Sequence, residues 1–381
     1  MHTFEFHHRV HVVSGEGTLA RLGSLAQEHG FRRTLLVADR GLVDAGHVGA
    51  AVEILRKAGV EVIEFHDFLP NPDTNCVERG RALAAAQKVD SIIGLGGGSS
   101  MDCAKGINFI LTNGGRMQDY WGYGKAQQPM LPMIGIPTTT GTGSEAQSFA
   151  LISDSETHVK MACGDPKAAF RVAILDPQLV LSQPRGVLAA AGYDAVSHAV
   201  ETFVTTRRNA ISLCFSREAW RLLSGNFPRA LSNPRDVAAL GAMQLGAYFA
   251  GAAIENSMLG ATHACANPLT ARYGILHGNA IALLLTHVVR WNGATVNGDY
   301  GELLLIARWQ PPPGHPASEY LARQLETFAQ EAGLHVRLSQ AGVQKSDVPQ
   351  LAEDASNQWT GKFNPRPLDA QAAREIYECA W

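Results

Sequence analysis

At 381 residues the chain is too long for one ordinary hydrophobic core, so two domains are expected. Apolar residues make up 46% and charged residues 18%, the balance of a soluble globular enzyme. A formal net charge of -3 gives no electrostatic reason to expect nucleic acid or an anionic membrane surface as a partner.

The N-terminal stretch MHTFEFHHRVHVV lacks the charged, apolar and small-residue regions of a signal peptide. No apolar run reaches the roughly 18–20 residues needed to span a bilayer. The six cysteines are scattered without a C-x-x-C pair, which favours reduced thiols and a cytoplasmic protein.

Through the first half, short β-branched runs at 10–13, 34–38, 60–65, 91–95, 132–136 and 172–175 alternate with helical stretches such as 49–58 and 76–87. That alternation predicts a parallel sheet covered on both faces. Near residue 184 the character changes. Segments 188–205, 210–223, 237–258, 278–291 and 319–332 carry apolar residues at helical spacing, and the proline-rich 309–318 reads as a loop. The expectation is a dinucleotide-binding α/β domain over 1–183 and an all-α, metal-binding domain over 184–381.

Three loops in the first half carry candidate ligand contacts. Asp39 follows the second strand, where a carboxylate bonds a ribose 2′-hydroxyl and disfavours a 2′-phosphate. The neighbouring Arg40 suits that phosphate instead, and an ordinary acidic turn residue is the plain alternative. Residues 94–105 read GLGGGSSMDCAK directly after a buried strand. Gly96, Gly97 and Gly98 permit close backbone approach, and a helix opening at Ser99 and Ser100 would aim free N–H groups at a pyrophosphate. Residues 136–145, IPTTTGTGSE, offer the hydroxyls of Thr138, Thr139, Thr140, Thr142 and Ser144. For both loops a turn without a ligand is the competing reading.

In the second half, Asp194 and His198 stand four apart on a helix otherwise lined by alanine and valine, so they share a face. Glu201 lies three further on. Taken alone, the pair reads as a hydrogen-bonded Asp–His pair in a bundle. His263 and His277 supply two more donors from the same helical half, and facing helices are where bundles build metal sites. One carboxylate and three imidazoles suit Fe(II), Zn(II) or another divalent first-row metal, with no cysteine placed to join them. Glycine loops upstream, suited to a dinucleotide, and this donor set downstream together point to metal-assisted hydride transfer.

Four ordered motifs carry a resemblance that spans essentially the whole chain: GGGSSMDCAK (96–105), PTTTGTGSE (137–145), GYDAVSHAVE (192–201) and the stretch from His263 to His277-Gly278. Shorter matches are Pro70-Asn71-Pro72, Leu175-Asp176-Pro177 and Asn364-Pro365-Arg366. The chain resembles the iron-containing (group III) alcohol dehydrogenases. The resemblance implies a dehydroquinate synthase-like α/β domain with a parallel sheet, joined to an all-α domain. It implies that Asp194, His198, His263 and His277 bind Fe(2+) and carry catalysis through it. It further implies that Asp39, Gly97, Gly98, Ser99, Asp102, Thr138, Thr139 and Thr142 surround NAD, or NADP. Phe149 is similar in place to residues bordering nicotinamide and substrate. Many members read HAMAH where 263–267 reads HACAN, so Asn267 stands where they carry a second, titratable histidine.

Met258, Leu259, Thr262 and Phe149 are apolar or small and read as pocket-forming, which favours a short, weakly polar substrate. A homodimer or higher homo-oligomer is expected. Two other functions compete: a metal-dependent lyase of the dehydroquinate synthase type, and a nucleotide-binding protein without turnover, for which only Asn267 speaks.

Overall fold

The computed structural model describes residues 3–68 and 70–381. The chain forms two compact units. One comprises His7–Thr139 and Gly143–Gln183; the other comprises Pro184–Trp381 together with Thr140–Thr142 and residues 3–6.

In the first unit the strands are β1 (His11–Ser14), β2 (Arg33–Val37), β3 (Glu61–Phe65), β4 (Ser91–Gly96), β5 (Gly122–Tyr123), β6 (Met133–Pro137), β7 (Phe149–Ser153), β8 (Lys160–Gly164) and β9 (Val172–Leu175). Its helices are α1 (Leu22–Glu28), α2 (Arg40–Asp44), α3 (His47–Lys57), α4 (Thr74–Ala86), α5 (Gly98–Asn113) and α6 (Pro177–Val180). Six strands build one all-parallel sheet in the order β1-β9-β6-β4-β2-β3. These are the six strands expected from the β-branched runs. A smaller sheet, β5-β8-β7, was not foreseen.

Alternate residues of the central strands bury on opposite faces, as a pleated strand requires. Leu35, Val37 and Ile92 share a core with Met101, Cys103 and Ile107 of α5. Leu36, Ile93 and Leu95 share the other core with Val48, Val52 and Leu55 of α3. Because β2 and β4 are neighbours while α3 and α5 cover opposite faces, the chain leaves their C-terminal ends in opposite directions. That divergence opens a crevice between Asp39 and the glycine loop, the place where parallel α/β sheets take their ligands.

The second unit is helical: α7 (Arg185–Val204), α8 (Ala210–Ser232), α9 (Val237–Ser257), α10 (Ala261–Tyr273), α11 (His277–Ile306), α12 (Ala317–Glu331), α13 (Val348–Ser356) and α14 (Ala370–Ala380). The amide of Ala239 donates to the Asp236 carboxylate, which starts α9, and Asn209 with Ser212 forms a capping box that starts α8. α9 is long and apolar enough to cross a membrane by length and composition alone, yet most of it is buried. It packs against α7 and α8 as a core helix. α11 bends at Val296, whose φ and ψ are -126° and 26°.

Candidate metal centre and dinucleotide loops

Small residues decide how closely the helices around the four donors approach. A Cβ on Gly278 would lie 2.2 Å from the Ala190 carbonyl oxygen, so the first turn of α11 rests directly on the α7 backbone. A Cβ on Gly141 would lie 2.7 Å from Ala191 Cβ. This contact explains why Thr140–Thr142 belongs to the helical unit. Ala191 is therefore small because the Gly141 backbone presses on its Cβ, and the Ala190 backbone takes the first turn of α11. Side chains there would push His277 away from Asp194.

The four donors meet inside this unit. Asp194 Oδ1 has the Nε2 atoms of His198, His263 and His277 at 3.3, 3.5 and 3.7 Å. His198 Nε2 and His263 Nε2 are 3.1 Å apart. Among the described residues, Asp194, His263 and His277 form a group whose ligand atoms all lie within 4.8 Å of one another. Asp194, His198 and His263 are buried, while the His277 side chain is 25% exposed. Asp194 Oδ1 is buried with no hydrogen bond of normal geometry. A buried anionic oxygen in that condition is costly without a cation. The carboxylate oxygen with the imidazole nitrogens of His263 and His277, and His198 Nε2 beside them, offers a donor set that fits a divalent metal.

The charges follow from this crowding. Burial pushes the Asp194 carboxyl up, but His198, His277 and His263 together outweigh it and hold the group well below the usual carboxylate range. Burial pushes His198 down to about 4 against the pull of Asp194. Burial also disfavours the charged form of His263, yet Glu201 and Asp194 lift it to about 9. Glu201 Oε2 makes a short hydrogen bond with His263 Nδ1, and Glu201 Oε1 accepts from the Thr262 amide at 2.7 Å. A carboxylate on Nδ1 orients the ring so that Nε2 faces Asp194, and a cation bound there would displace the Nε2 proton. The sequence had placed Glu201 on the right helix face without revealing this partner.

Asn267, one turn beyond His263 on α10, donates through Nδ2 to Gln358 Oε1 at 3.1 Å, a neutral pair. Met258, which ends α9, is buried with φ of 64°, an uncommon conformation for a residue with a side chain. Thr262 is buried in the first turn of α10.

In the α/β unit, Gly96 ends β4 with φ of 142°, and a Cβ there would lie 2.3 Å from Ser100 Oγ. Gly97 then starts α5 without a side-chain cap, and the first amides of a helix, here at Gly98 and Ser99, have no intrahelical partner. The Thr138 amide donates to the Gly96 carbonyl at 3.0 Å, and a Cβ on Gly97 would lie 3.2 Å from Thr139 Cγ2. The glycine and threonine loops are thus adjacent. Asp39 starts α2 without capping it, and Arg40 is exposed.

A buried charge locks the two loops. Lys105 Nζ donates to the Ser144 carbonyl at 2.7 Å, to Ser144 Oγ at 3.0 Å and to the Phe149 carbonyl at 2.8 Å. Ser144 Oγ donates to Asp102 Oδ1 at 2.9 Å. Asp102 is raised by burial, partly offset by Lys105. Lys105 stands in the motif read from the sequence, but nothing there disclosed its role. Asn71, quoted from the sequence only as part of a short match, donates through its amide to Ser99 Oγ at 3.2 Å, and Lys160, not singled out at all, donates through Nζ to Asn71 Oδ1 at 3.4 Å. Phe149 lies flat against Gly164, where a Cβ would come 2.3 Å from its ring, and Tyr123 lies 5.6 Å away.

The profile of the family described as iron-containing alcohol dehydrogenase matches residues 10–177, and that of its C-terminal domain matches residues 188–381. The chain belongs to the iron-containing alcohol dehydrogenase family. It is 31% identical over 370 residues to an NAD-dependent methanol dehydrogenase of Bacillus methanolicus, covering 97% of each chain. It is 29% identical over 371 residues to a lactaldehyde reductase of Escherichia coli K12, covering 96% of this chain and 97% of that one. The fold superposes on a crystal structure of a 1,3-propanediol oxidoreductase with a TM-score of 0.96 at 30% identity, covering 100% of both chains. The α/β unit with its parallel sheet and the helical unit are those of this family, whose members are alcohol and aldehyde oxidoreductases. The lyase and the turnover-free alternatives are not favoured by these relatives.

Proposed function

We propose that the protein exchanges a hydride between NAD and a small alcohol or aldehyde, with Asp194, His198, His263 and His277 holding a divalent metal. The observation that carries this reading is the convergence of three imidazole nitrogens on a buried carboxylate oxygen that has no other partner. When bound, the metal supplies Lewis-acid activation of the substrate oxygen and the nicotinamide supplies hydride exchange.

The chain's own residues prepare both. The Asp194 carboxyl stays ionised at neutral pH and so presents a charge to a cation. Glu201 turns the His263 ring so that Nε2 faces inward. Gly97, Gly98 and Ser99 offer amides, and Thr138, Thr139 and Thr142 offer hydroxyls, to the phosphates and riboses of the cofactor. Asp102 holds Ser144, and with it the threonine loop, while Asn71 and Lys160 extend the set. Asp39 favours NAD over NADP, against the neighbouring exposed Arg40, which suits a 2′-phosphate. Asn267 binds no proton, so proton exchange with solvent runs through another group.

Iron is the resident metal by family, although zinc binds such donors more tightly. The small or apolar Met258, Leu259 and Thr262 support a short substrate, as do relatives named for methanol and lactaldehyde. A homodimer or higher oligomer in the cytoplasm completes the proposal, the six cysteines being unpaired. The test is elemental analysis of anaerobically purified protein, followed by an alcohol and aldehyde panel with NAD and NADP read at the NADH absorbance. His263→Ala or His277→Ala should abolish metal content and turnover while NAD binding survives. Full activity in a metal-free His277→Ala protein overturns the reading.

A further inference from the structure

The helix that carries His263 is not capped by its own sequence. Gly260 precedes α10 and has no side chain to offer its first amides. Two residues remote in sequence do that work. The Ala261 amide donates to Asn364 Oδ1 at 3.1 Å, and the Thr262 amide to Glu201 Oε1 at 2.7 Å. Both oxygens crowd the place a side chain at Gly260 would fill: its Cβ would lie 2.8 Å from Asn364 Oδ1 and 3.1 Å from Glu201 Oε1. Glycine is required at 260 so that these two caps can reach the helix.

Asn364 is itself fixed. It exchanges hydrogen bonds with Asn292 of α11, Nδ2 to Asn292 Oδ1 at 2.8 Å and Asn292 Nδ2 back to Oδ1 at 3.1 Å. Its Nδ2 also donates to the Arg366 carbonyl at 2.7 Å. Two residues on, the Arg366 guanidinium lies 4.0 Å from the Trp291 ring centroid and donates to the Trp291 carbonyl at 3.0 Å. The segment Asn364-Pro365-Arg366 is therefore pinned at two successive residues of α11, the helix that begins at His277. Asn292 and Asn364 are both buried, so these bonds are not shared with solvent.

We infer that Asn364 is a positioning residue for the metal centre: it ties the first turn of α10 to α11 and so sets His263 relative to His277. Glu201 turns the ring; Asn364 holds the backbone from which the ring grows. The inference rests on the metal-centre reading above. Partners of this kind tune affinity by about 10–100-fold.

The test uses full-length apo protein titrated with Co(II) against a chromophoric chelator, with the visible Co(II) spectrum as a second readout and thermal unfolding of the apo protein alongside. Asn364→Ala should bind Co(II) about 10–100-fold more weakly, with a changed ligand-field band. Asn364→Asp keeps an oxygen for the Ala261 amide and should fall between wild type and the alanine variant. NAD affinity should be unchanged in both. Wild-type Co(II) affinity and spectrum in Asn364→Ala, however far its melting point falls, overturn the inference and leave Asn364 a purely stabilising residue. Should that variant fail to fold, Asn292→Ala is read by the same criterion. His263→Ala is the control for the reading beneath: wild-type Co(II) affinity there sinks the metal centre itself.

Discussion

The two units treat buried charge differently. Around Lys105 in the α/β unit, the ammonium, Ser144 and Asp102 satisfy one another through internal hydrogen bonds. Around Asp194 in the helical unit, an ionised oxygen is surrounded by imidazoles yet accepts no normal hydrogen bond. The glycine and threonine loops have their buried charges satisfied within the protein, so on the proposed reading they need no ligand to be held in place. On the same reading the cluster around Asp194 needs its ion to balance the buried oxygen. Each ligand stabilises the protein by mass action, but metal should also relieve the cost of the buried Asp194 charge and so raise the stability of the helical unit strongly.

The sharpest way to break this contrast is Asp194→Ala. It should remove the metal, lower kcat/KM by about a thousandfold or more, and abolish the rise in melting temperature that Fe(II) or Zn(II) produces in the wild type. Metal analysis and thermal scans with and without metal check it. Lys105→Met attacks the other side. It removes the ammonium's hydrogen bonds to the Ser144 and Phe149 carbonyls and to Ser144 Oγ and should destabilise the protein by about 3–4 kcal/mol, seen in denaturant unfolding. NAD affinity should fall while metal content holds.

Glu145 provides a pH test within the α/β unit. Burial raises its carboxyl from 4.5 to about 7. A raised carboxyl contributes stability that is present below about 4.5 and lost as pH climbs through about 7. Glu145→Gln cannot ionise, so its stability relative to wild type should grow across that window by at most about 3 kcal/mol and then level off. A flat difference from pH 4 to 8 contradicts this. Gly278→Ala is the mildest change. Overpacking against the Ala190 carbonyl should cost about 2 kcal/mol and weaken metal retention, measured by chelator competition, without touching NAD affinity.

The main sheet was legible because each of its strands is a run of β-branched or apolar residues between turns. The smaller sheet was not, because β5 has only two residues and β8, Lys160–Gly164, has neither alternation nor β-branching. The long helices were legible from periodicity, but α8 runs nine residues past its expected end at 223, through Pro228, to Ser232. α10 escaped notice as a helix: it is short, contains Pro268, is built of small residues, and takes its caps from Glu201 and Asn364. Local sequence cannot show caps supplied from 61 and 103 residues away. The four candidate metal donors were legible from the i, i+4 spacing of Asp194 and His198, from two further histidines in the helical half and from the ordered motifs around them. Lys105 was not, because a lysine is assumed to face solvent until a structure shows it enclosed.

The close seat of Gly278 on Ala190, and of Gly141 on Ala191, bears on any attempt to transplant this centre. Copying Asp194, His198, His263 and His277 onto another bundle would carry the chemistry but not the spacing. The transferable unit includes the two glycines and the alanine ledge beneath them, since one added methyl group at either glycine meets the backbone of α7. A host lacking that ledge would hold four correct donors too far apart to share one ion.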